Sequence, residues 1–178
     1  PELTKKILSI GAEKVGEFDY TRANFDHSDD SLNKKHGWVR LRTDGKETTL
    51  AYKENLKKKS EDGSVENIGA KEIEVSVSDY IKTHELLLAM GLVIKQEEKN
   101  KRIRYRKDDV VFDIDFWPFI PPYLEVESTS MEKAKAAARE LGFEPEKGLV
   151  CSAGQVYKNY GYNLREYSAI TFKGLIKK

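Results

Sequence analysis

Charged side chains recur at every second position in several short stretches of this 178-residue chain. Arg40 and Arg42 are one residue apart, as are Arg102 and Arg104. Glu72 and Glu74, Asp113 and Asp115, and Glu125 and Glu127 repeat the spacing. In an extended strand, residues i and i+2 point to one face, so each pair stands side by side. The opposite faces are apolar: Val39 and Leu41; Leu50 and Tyr52; Ile73, Val75 and Val77; Ile103 and Tyr105; Phe112, Ile114 and Phe116; Leu124 and Val126. An antiparallel sheet with one face in water would show this alternation. Like charges grouped on a sheet face are nevertheless mildly destabilising, and solvated surfaces usually mix signs. Arginines offer forked donors to phosphate oxygens, and clustered carboxylates hold a hard divalent cation. A polyphosphate accompanied by Mg²⁺ or Mn²⁺ needs both at once. Strands closing into a barrel with this face inward would enclose a polar tunnel.

The elements that must position these residues are legible from periodicity. Leu3, Ile7 and Ile10 mark a helix over 2–10 that Gly11 stops. A second helix is expected over about 79–90, with Ser78 as N-cap and Gly91 past its end. A third is expected over about 129–141, with a Thr129/Glu132 capping box and Gly142 beyond. Strands are expected at about 15–25, 37–43, 47–54, 70–77, 93–106, 110–116 and 122–128. Thr43-Asp44-Gly45-Lys46 and Lys107-Asp108-Asp109 read as hairpin turns joining antiparallel neighbours. Residues 54–69, rich in Lys, Glu, Asp, Ser and Gly, read as a mobile loop with a solvated lysine run at 57–59. From Cys151 onward a short helix and loop are expected to pack on the domain. Helix, glycine and an Arg-x-Arg strand occur twice, at 10–42 and 90–104, each followed by Glu-x-Glu. The unequal spacing excludes a solenoid and suggests two similar halves closing one sheet.

Composition narrows the classes. With 31 basic and 30 acidic side chains the net charge is +1, which argues against a general nucleic-acid binder. No apolar run approaches the roughly 20 residues that span a bilayer, and no signal segment opens the chain. The single Cys151 forms no internal disulfide and gives no zinc spacing. A single cytoplasmic domain over 1–178 is the expectation.

The ordered set Asn24-Phe25-Asp26, Arg40-Leu41-Arg42, Leu50-Ala51-Tyr52-Lys53 and Glu72-Ile73-Glu74 resembles the CYTH superfamily. Arg102-Ile103-Arg104-Tyr105, Asp115 and Glu125-Val126-Glu127 resemble its second half, so the likeness covers residues 1–142. These are the triphosphate tunnel metalloenzymes: class IV adenylate cyclases, thiamine triphosphatases and inorganic triphosphatases. The resemblance implies an α+β fold, an antiparallel eight-stranded β-barrel (the triphosphate tunnel) with helices packed outside. It implies that Arg40, Arg42, Lys53, Arg102 and Arg104 bind substrate phosphates. Glu125 and Glu127 would hold Mg²⁺ or Mn²⁺ with Glu72 assisting, while Glu74 and Asp115 serve the reacting centre. The family's opening Glu-x-Glu-x-Lys strand has no counterpart before the first helix, so a tunnel lacking that strand is expected. No Ser-Tyr-x-x-Leu-Leu ending of the cyclase branch is present, which tilts the reading toward metal-dependent triphosphate hydrolysis. A class IV adenylate cyclase and a non-catalytic polyphosphate- or nucleotide-binding module are the alternatives. The expected partner is a triphosphate or nucleoside triphosphate, without nucleic acid or membrane, and with a homodimer left open.

Other residues attract blander readings. His27, His36 and His84 lack ligand spacing and read as surface or turn residues. Lys158 reads as solvent-exposed. Trp38 and Trp117 fall on the charged face by alternation, where tunnel-end packing competes with stacking on an organic group. Asp113 shares a face with Asp115 but has no family counterpart.

Overall fold

A computed structural model describes residues 2–59 and 65–178. In chain order it contains α1 (Glu2–Ser9), β1 (Glu13–Asp26), β2 (Gly37–Thr43), β3 (Thr48–Lys59) and β4 (Val65–Val77). There follow α2 (Tyr80–Ala89), β5 (Val93–Lys107), β6 (Val110–Phe116), β7 (Tyr123–Glu127), α3 (Met131–Glu140), α4 (Ala153–Asn159), β8 (Tyr167–Thr171) and β9 (Gly174–Lys177). The strands pair in the order β4-β3-β2-β1-β5-β6-β7, with β8 on β5 and β9 on β8. The α+β class and the antiparallel pairing follow the alternation seen in the sequence. Both expected hairpins form: Thr43 pairs with Thr48, and Lys107 with Val110.

The chain divides into two compact units that do not follow the two sequence halves. One comprises Pro1–Asp19 and Asn100–Leu149, the other Tyr20–Lys99 and Val150–Lys178. β1 and β5 each run from one unit into the other. The first unit has a core of Ile7, Ala12, Tyr105, Phe112, Ile114, Ala137 and Leu141, in which α1 and α3 bury their apolar faces against β5 and β6. In the second, Ala23, Phe25, Leu41, Leu87 and Leu92 bury α2 against β1 and β2. In both, the sheet face turned to the helices is the apolar one that alternation assigns. The charged face is left for other work.

Several expectations need correction. The segment 54–69 was expected to be a loop, but it is mostly strand: β3 continues to Lys59 and β4 begins at Val65. Residues 60–64, inside that expected loop, lie outside the described residues. The ladder continues across a register shift between Leu56 and Lys57. Backbone pairing holds this hairpin even though Ile68, Ile73 and Val75 of β4 are each more than half exposed. The stretch after Cys151 supplies α4 as expected. It also adds β8, whose Glu97–Ala169 and Glu98–Ile170 pairings with β5 are parallel, and β9. The caps move by one residue. Asp79 rather than Ser78 accepts from Lys82 N, and Ser130 rather than Thr129 accepts from Lys133 N. In each case the residue immediately before the helix has the extended backbone a cap requires. Gly91 and Gly142 end their helices at φ +88° and +83°, a conformation costly for any residue with a Cβ. No helix among the described residues is long and apolar enough to cross a membrane.

Candidate functional site

Each unit carries one charged cluster on the polar face of its strands. In the unit containing Tyr20–Lys99, ladder register aligns Asn24 with Arg40, Arg40 with Ala51, and Ala51 with Glu74. The next rung aligns Trp38 with Lys53 and Lys53 with Glu72. Ala51 is buried and short, so the Arg40 guanidinium extends across β3 to the acids of β4. One of its terminal nitrogens donates to Glu72 at 2.8 Å and Glu74 at 3.0 Å. Arg42 donates to Glu74 at 3.3 Å, and Lys53 Nζ lies 2.9 Å from Glu72. Burial alone would raise the Glu72 pKa, but Lys53, Arg40 and Arg42 together hold it below the usual carboxylate range. Arg40 Nε is buried without a hydrogen-bond partner among the described residues.

In the other unit, Arg102 stands opposite Asp115, and Arg104 opposite Asp113, which in turn faces Glu125. Arg102 grips both Asp115 oxygens at 2.6 Å, and donates to Asp113 at 2.6 Å and Glu125 at 2.7 Å. Arg104 makes a second fork onto Asp113, at 2.8 and 2.6 Å. Arg102, Asp113 and Asp115 are all buried. Burial would by itself lower the Arg102 pKa, but the Asp115, Glu125 and Asp113 carboxylates outweigh it and hold the guanidinium firmly charged. Such a group costs several kcal/mol to bury per ion, and only saturated pairing of this kind offsets that.

Glu125 is the strained member of the set. Burial, with Glu127, Asp115 and Asp113 nearby, pushes its pKa up to about 7 despite the opposing pull of Arg102. Its side chain keeps 36% exposure, so one edge of this acidic group is open to solvent. Glu127, one turn of the pleat away, is exposed.

The residues singled out in the sequence thus gather into two sets: Arg40, Arg42, Lys53, Glu72 and Glu74; and Arg102, Arg104, Asp115, Glu125 and Glu127. Their like-charged rows pair with one another across neighbouring strands, so much of the charge is neutralised inside the protein. Asp113 proves central, since it joins Arg102 to Arg104. Three buried residues of the polar faces drew no attention in the sequence: Arg22, Glu98 and Asn100. Alternation with Ala23 and Phe25 could have flagged Arg22. Nothing in the run Glu97-Glu98-Lys99 distinguishes Glu98. Trp117 is buried and Trp38 half-buried; His27, His36 and Lys158 are exposed as expected. His84 instead packs edge-on against Phe25, with ring centroids 5.3 Å apart. Asp26 is structural: its oxygens accept from the backbone N–H groups of His27, Leu32 and Asn33.

The CYTH domain model matches residues 1–152. The chain belongs to the CYTH family. No curated protein matches the sequence, but solved structures share the CYTH fold. A Pyrococcus horikoshii protein, PH1012, is 21% identical with a TM-score of 0.65, covering 82% of this chain and 85% of its own. A putative adenylate cyclase from Vibrio parahaemolyticus is 12% identical at TM-score 0.71, with 88% and 90% covered. The putative adenylyl cyclase HpAC1 from Hippeastrum, whose structure is described as revealing a dominant triphosphatase activity, is 18% identical at TM-score 0.61, with 89% of each chain covered.

CYTH membership implies a divalent metal. Among the described residues no three His, Cys, Asp or Glu side chains are grouped to enclose one. Asp113 and Asp115 are committed to arginines, which leaves Glu125 and Glu127. Two neighbouring carboxylates, one with its pKa raised by burial and then by the other's charge, suit a cation of the Mg²⁺ type, which keeps several waters and binds through one or two carboxylates plus substrate phosphates. The residues of this CYTH domain fit such an ion.

Two outcomes follow for the ligand-free protein. The Glu125 pKa lies above its ordinary 4.5, so the folded protein holds a proton that the unfolded chain has released. Stability should therefore fall as pH rises from about 4.5 to 7. In urea denaturation Glu125→Gln should flatten that decline and add about 1–2 kcal/mol above pH 7, a value discounted for the exposed third of the side chain. Asp113→Asn, which strips the charge from beneath two guanidinia, should cost about 3–5 kcal/mol in the same measurement; a cost below 1 kcal/mol would show that the pairing is not what holds this face.

Proposed function

We propose that this CYTH protein is a divalent-metal-dependent hydrolase of a triphosphate, inorganic or organic. The observation that carries the reading is the unequal charge of the two clusters. Around Arg40 there are four cations, Arg22, Arg40, Arg42 and Lys53, against three carboxylates, Glu72, Glu74 and Glu98. Around Arg102 there are two cations against four carboxylates, Asp113, Asp115, Glu125 and Glu127. One set has what a polyphosphate demands and the other what a hard divalent cation demands. The triphosphatase activity named for the Hippeastrum neighbour points the same way.

In this reading Arg40, Arg42, Lys53, Arg102 and Arg104 bind phosphate oxygens, Glu125 and Glu127 are the metal-holding carboxylates, and Glu72 positions the Arg40 and Lys53 cations it pairs with. Glu74 and Asp115 act through the arginines they hold. Glu74 tethers Arg40 and Arg42, while Asp115 fixes the plane of Arg102, so the forks meet the substrate already oriented. A bound Mg²⁺ or Mn²⁺ would neutralise charge on the phosphoryl oxygens. The chemistry is in-line displacement: a water oxygen bonds to the terminal phosphorus as the bridging P–O bond breaks, the diphosphate end departs as leaving group, and the water gives up a proton as the attacked phosphoryl group becomes orthophosphate. Phosphoryl transfer of this kind depends mostly on positioning and charge stabilisation, which prepaired guanidinia supply without reorganisation.

The second reading, an adenylate cyclase, is favoured by the description of the Vibrio neighbour. There the ribose 3′-hydroxyl would attack the α-phosphorus and release pyrophosphate. With ATP as substrate, ADP and phosphate support the first reading; cyclic AMP and pyrophosphate support the second.

Purified protein with Mg²⁺ or Mn²⁺ should release phosphate from tripolyphosphate, and excess EDTA should stop it. Arg104→Ala should lower the rate by about 10²–10³, as expected for loss of one preorganised donor. Absence of turnover with tripolyphosphate, ATP and thiamine triphosphate alike would contradict the hydrolase reading.

A further inference from the structure

Glu98 is the carboxyl that the reading above leaves unused. It sits on β5, 8% exposed, with Arg22 and Arg40 within Coulombic reach and the Asn24 side chain hydrogen-bonded to it. Arg22, Asn24, Arg40, Tyr157 and Ile170, the residues named around it, lie in the same unit. β1 supplies Arg22 and Asn24, β2 supplies Arg40, and α4 brings Tyr157, whose pKa is raised by burial and by the nearby Glu98 charge. The β8 strand is paired to β5 at Glu98 itself, opposite Ile170. Burial raises the Glu98 pKa, and the two arginines and Asn24 only partly oppose it.

Arg22 is equally unassigned. It is 7% exposed and directly opposite Arg42 in the β1–β2 ladder, so two guanidinia share one face of adjacent strands. Like charges in that position repel. Tyr20 relieves some of the repulsion, with the Arg22 and Arg42 guanidinia 5.2 and 4.7 Å from its ring centroid. The remainder calls for an anion. Glu98 is an anion within Coulombic reach of both Arg22 and Arg40, in addition to the Glu72 and Glu74 carboxylates that Arg40 binds. Arg40 Nε–H, buried without a hydrogen-bond partner among the described residues, is a donor suited to such an oxygen anion.

We propose that Arg22 is a further phosphate-gripping side chain of this site and that Glu98 is its built-in counter-ion, which neutralises Arg22 and Arg40 until a triphosphate oxygen takes its place. The proposal rests on the triphosphate-binding part of the reading above and does not depend on turnover. It has a thermodynamic consequence. Phosphate charge arriving beside a buried carboxyl disfavours the ionised form of that carboxyl, so Glu98 takes up a proton as the ligand binds.

The test is calorimetric titration of the metal-free protein with tripolyphosphate in EDTA. It is run at pH 7.5 in two buffers of different ionisation enthalpy and at several salt concentrations. Arg22→Ala should weaken binding about tenfold or more and shallow the salt dependence by about one charge. Arg22→Lys, which keeps the charge without the fork, should fall between the two and decides the matter if the alanine variant does not fold. Glu98→Gln should bind about three- to tenfold more tightly, since a competing charge is gone, and should take up fewer protons than the wild type. Wild-type binding unaltered by either Arg22 substitution overturns the assignment of Arg22. Equal proton uptake by wild type and Glu98→Gln overturns the role of Glu98. Failure of the wild type to bind tripolyphosphate at all overturns this inference together with the reading on which it rests.

Discussion

A guanidinium taken out of water is among the most expensive things a fold can bury, and Arg102 determines how its part of the sheet must be built. Its donors are distributed over Asp113, Asp115 and Glu125, which places fixed demands on the register of β5, β6 and β7. A slip of one residue would turn every one of these side chains to the apolar face and every apolar side chain to the polar one. Arg40 imposes the same condition on β2, β3 and β4, where it must pass over Ala51 to reach Glu72 and Glu74. A larger residue at position 51 would stand between the guanidinium and its acids. Pairing is therefore both the reason these sheets keep their register and the reason their arginines are held in one orientation.

That pairing also changes how the sequence pattern is to be understood. Rows of like charge look unstable when read along one strand, and they suggest an external ligand that neutralises them. In the folded chain Arg102 and Arg104 lie across from Asp115 and Asp113, and Arg40 and Arg42 reach over β3 to Glu72 and Glu74, so much of the charge is balanced without a ligand. What indicates function is the remainder: surplus cations around Arg40 and surplus carboxylates around Glu125. The Glu125 pKa, raised first by burial and then by Glu127, Asp115 and Asp113, stays up against the direct pull of Arg102, as expected where carboxylates outnumber cations.

The strands bearing Arg-x-Arg and Glu-x-Glu were legible because one face is buried and the other charged, and three helices were legible from their spacing and terminal glycines. The part of β4 before residue 70 and the far end of β3 were not, because the run over 54–69, rich in Lys, Glu, Ser and Gly, has no apolar period to betray a strand. β8 and β9 escaped for a different reason: they are five and four residues long, and the hairpin they form joins the sheet through β5, distant in sequence. Within the site, Arg22 was readable in principle from its alternation with Ala23 and Phe25. Glu98 was not, since Glu97, Glu98 and Lys99 put charge on both faces and only the folded chain shows which carboxyl is buried. The CYTH match ends at residue 152, yet the elements beside Glu98 include Tyr157 and β8, which lie past that point. This chain therefore surrounds a charged residue of its sheet with a segment that the family pattern does not describe.

The central claim is that carboxylate-tethered guanidinia on these strands meet phosphate oxygens directly. Nitrogen-15 NMR of the arginine Nε–H groups, followed during addition of tripolyphosphate, observes those groups one by one. The account predicts that the Arg40 Nε–H resonance, which has no acceptor among the described residues, moves downfield and becomes protected from exchange as the ligand saturates. A folded protein whose arginine side-chain resonances all stay in place at saturating tripolyphosphate would contradict it.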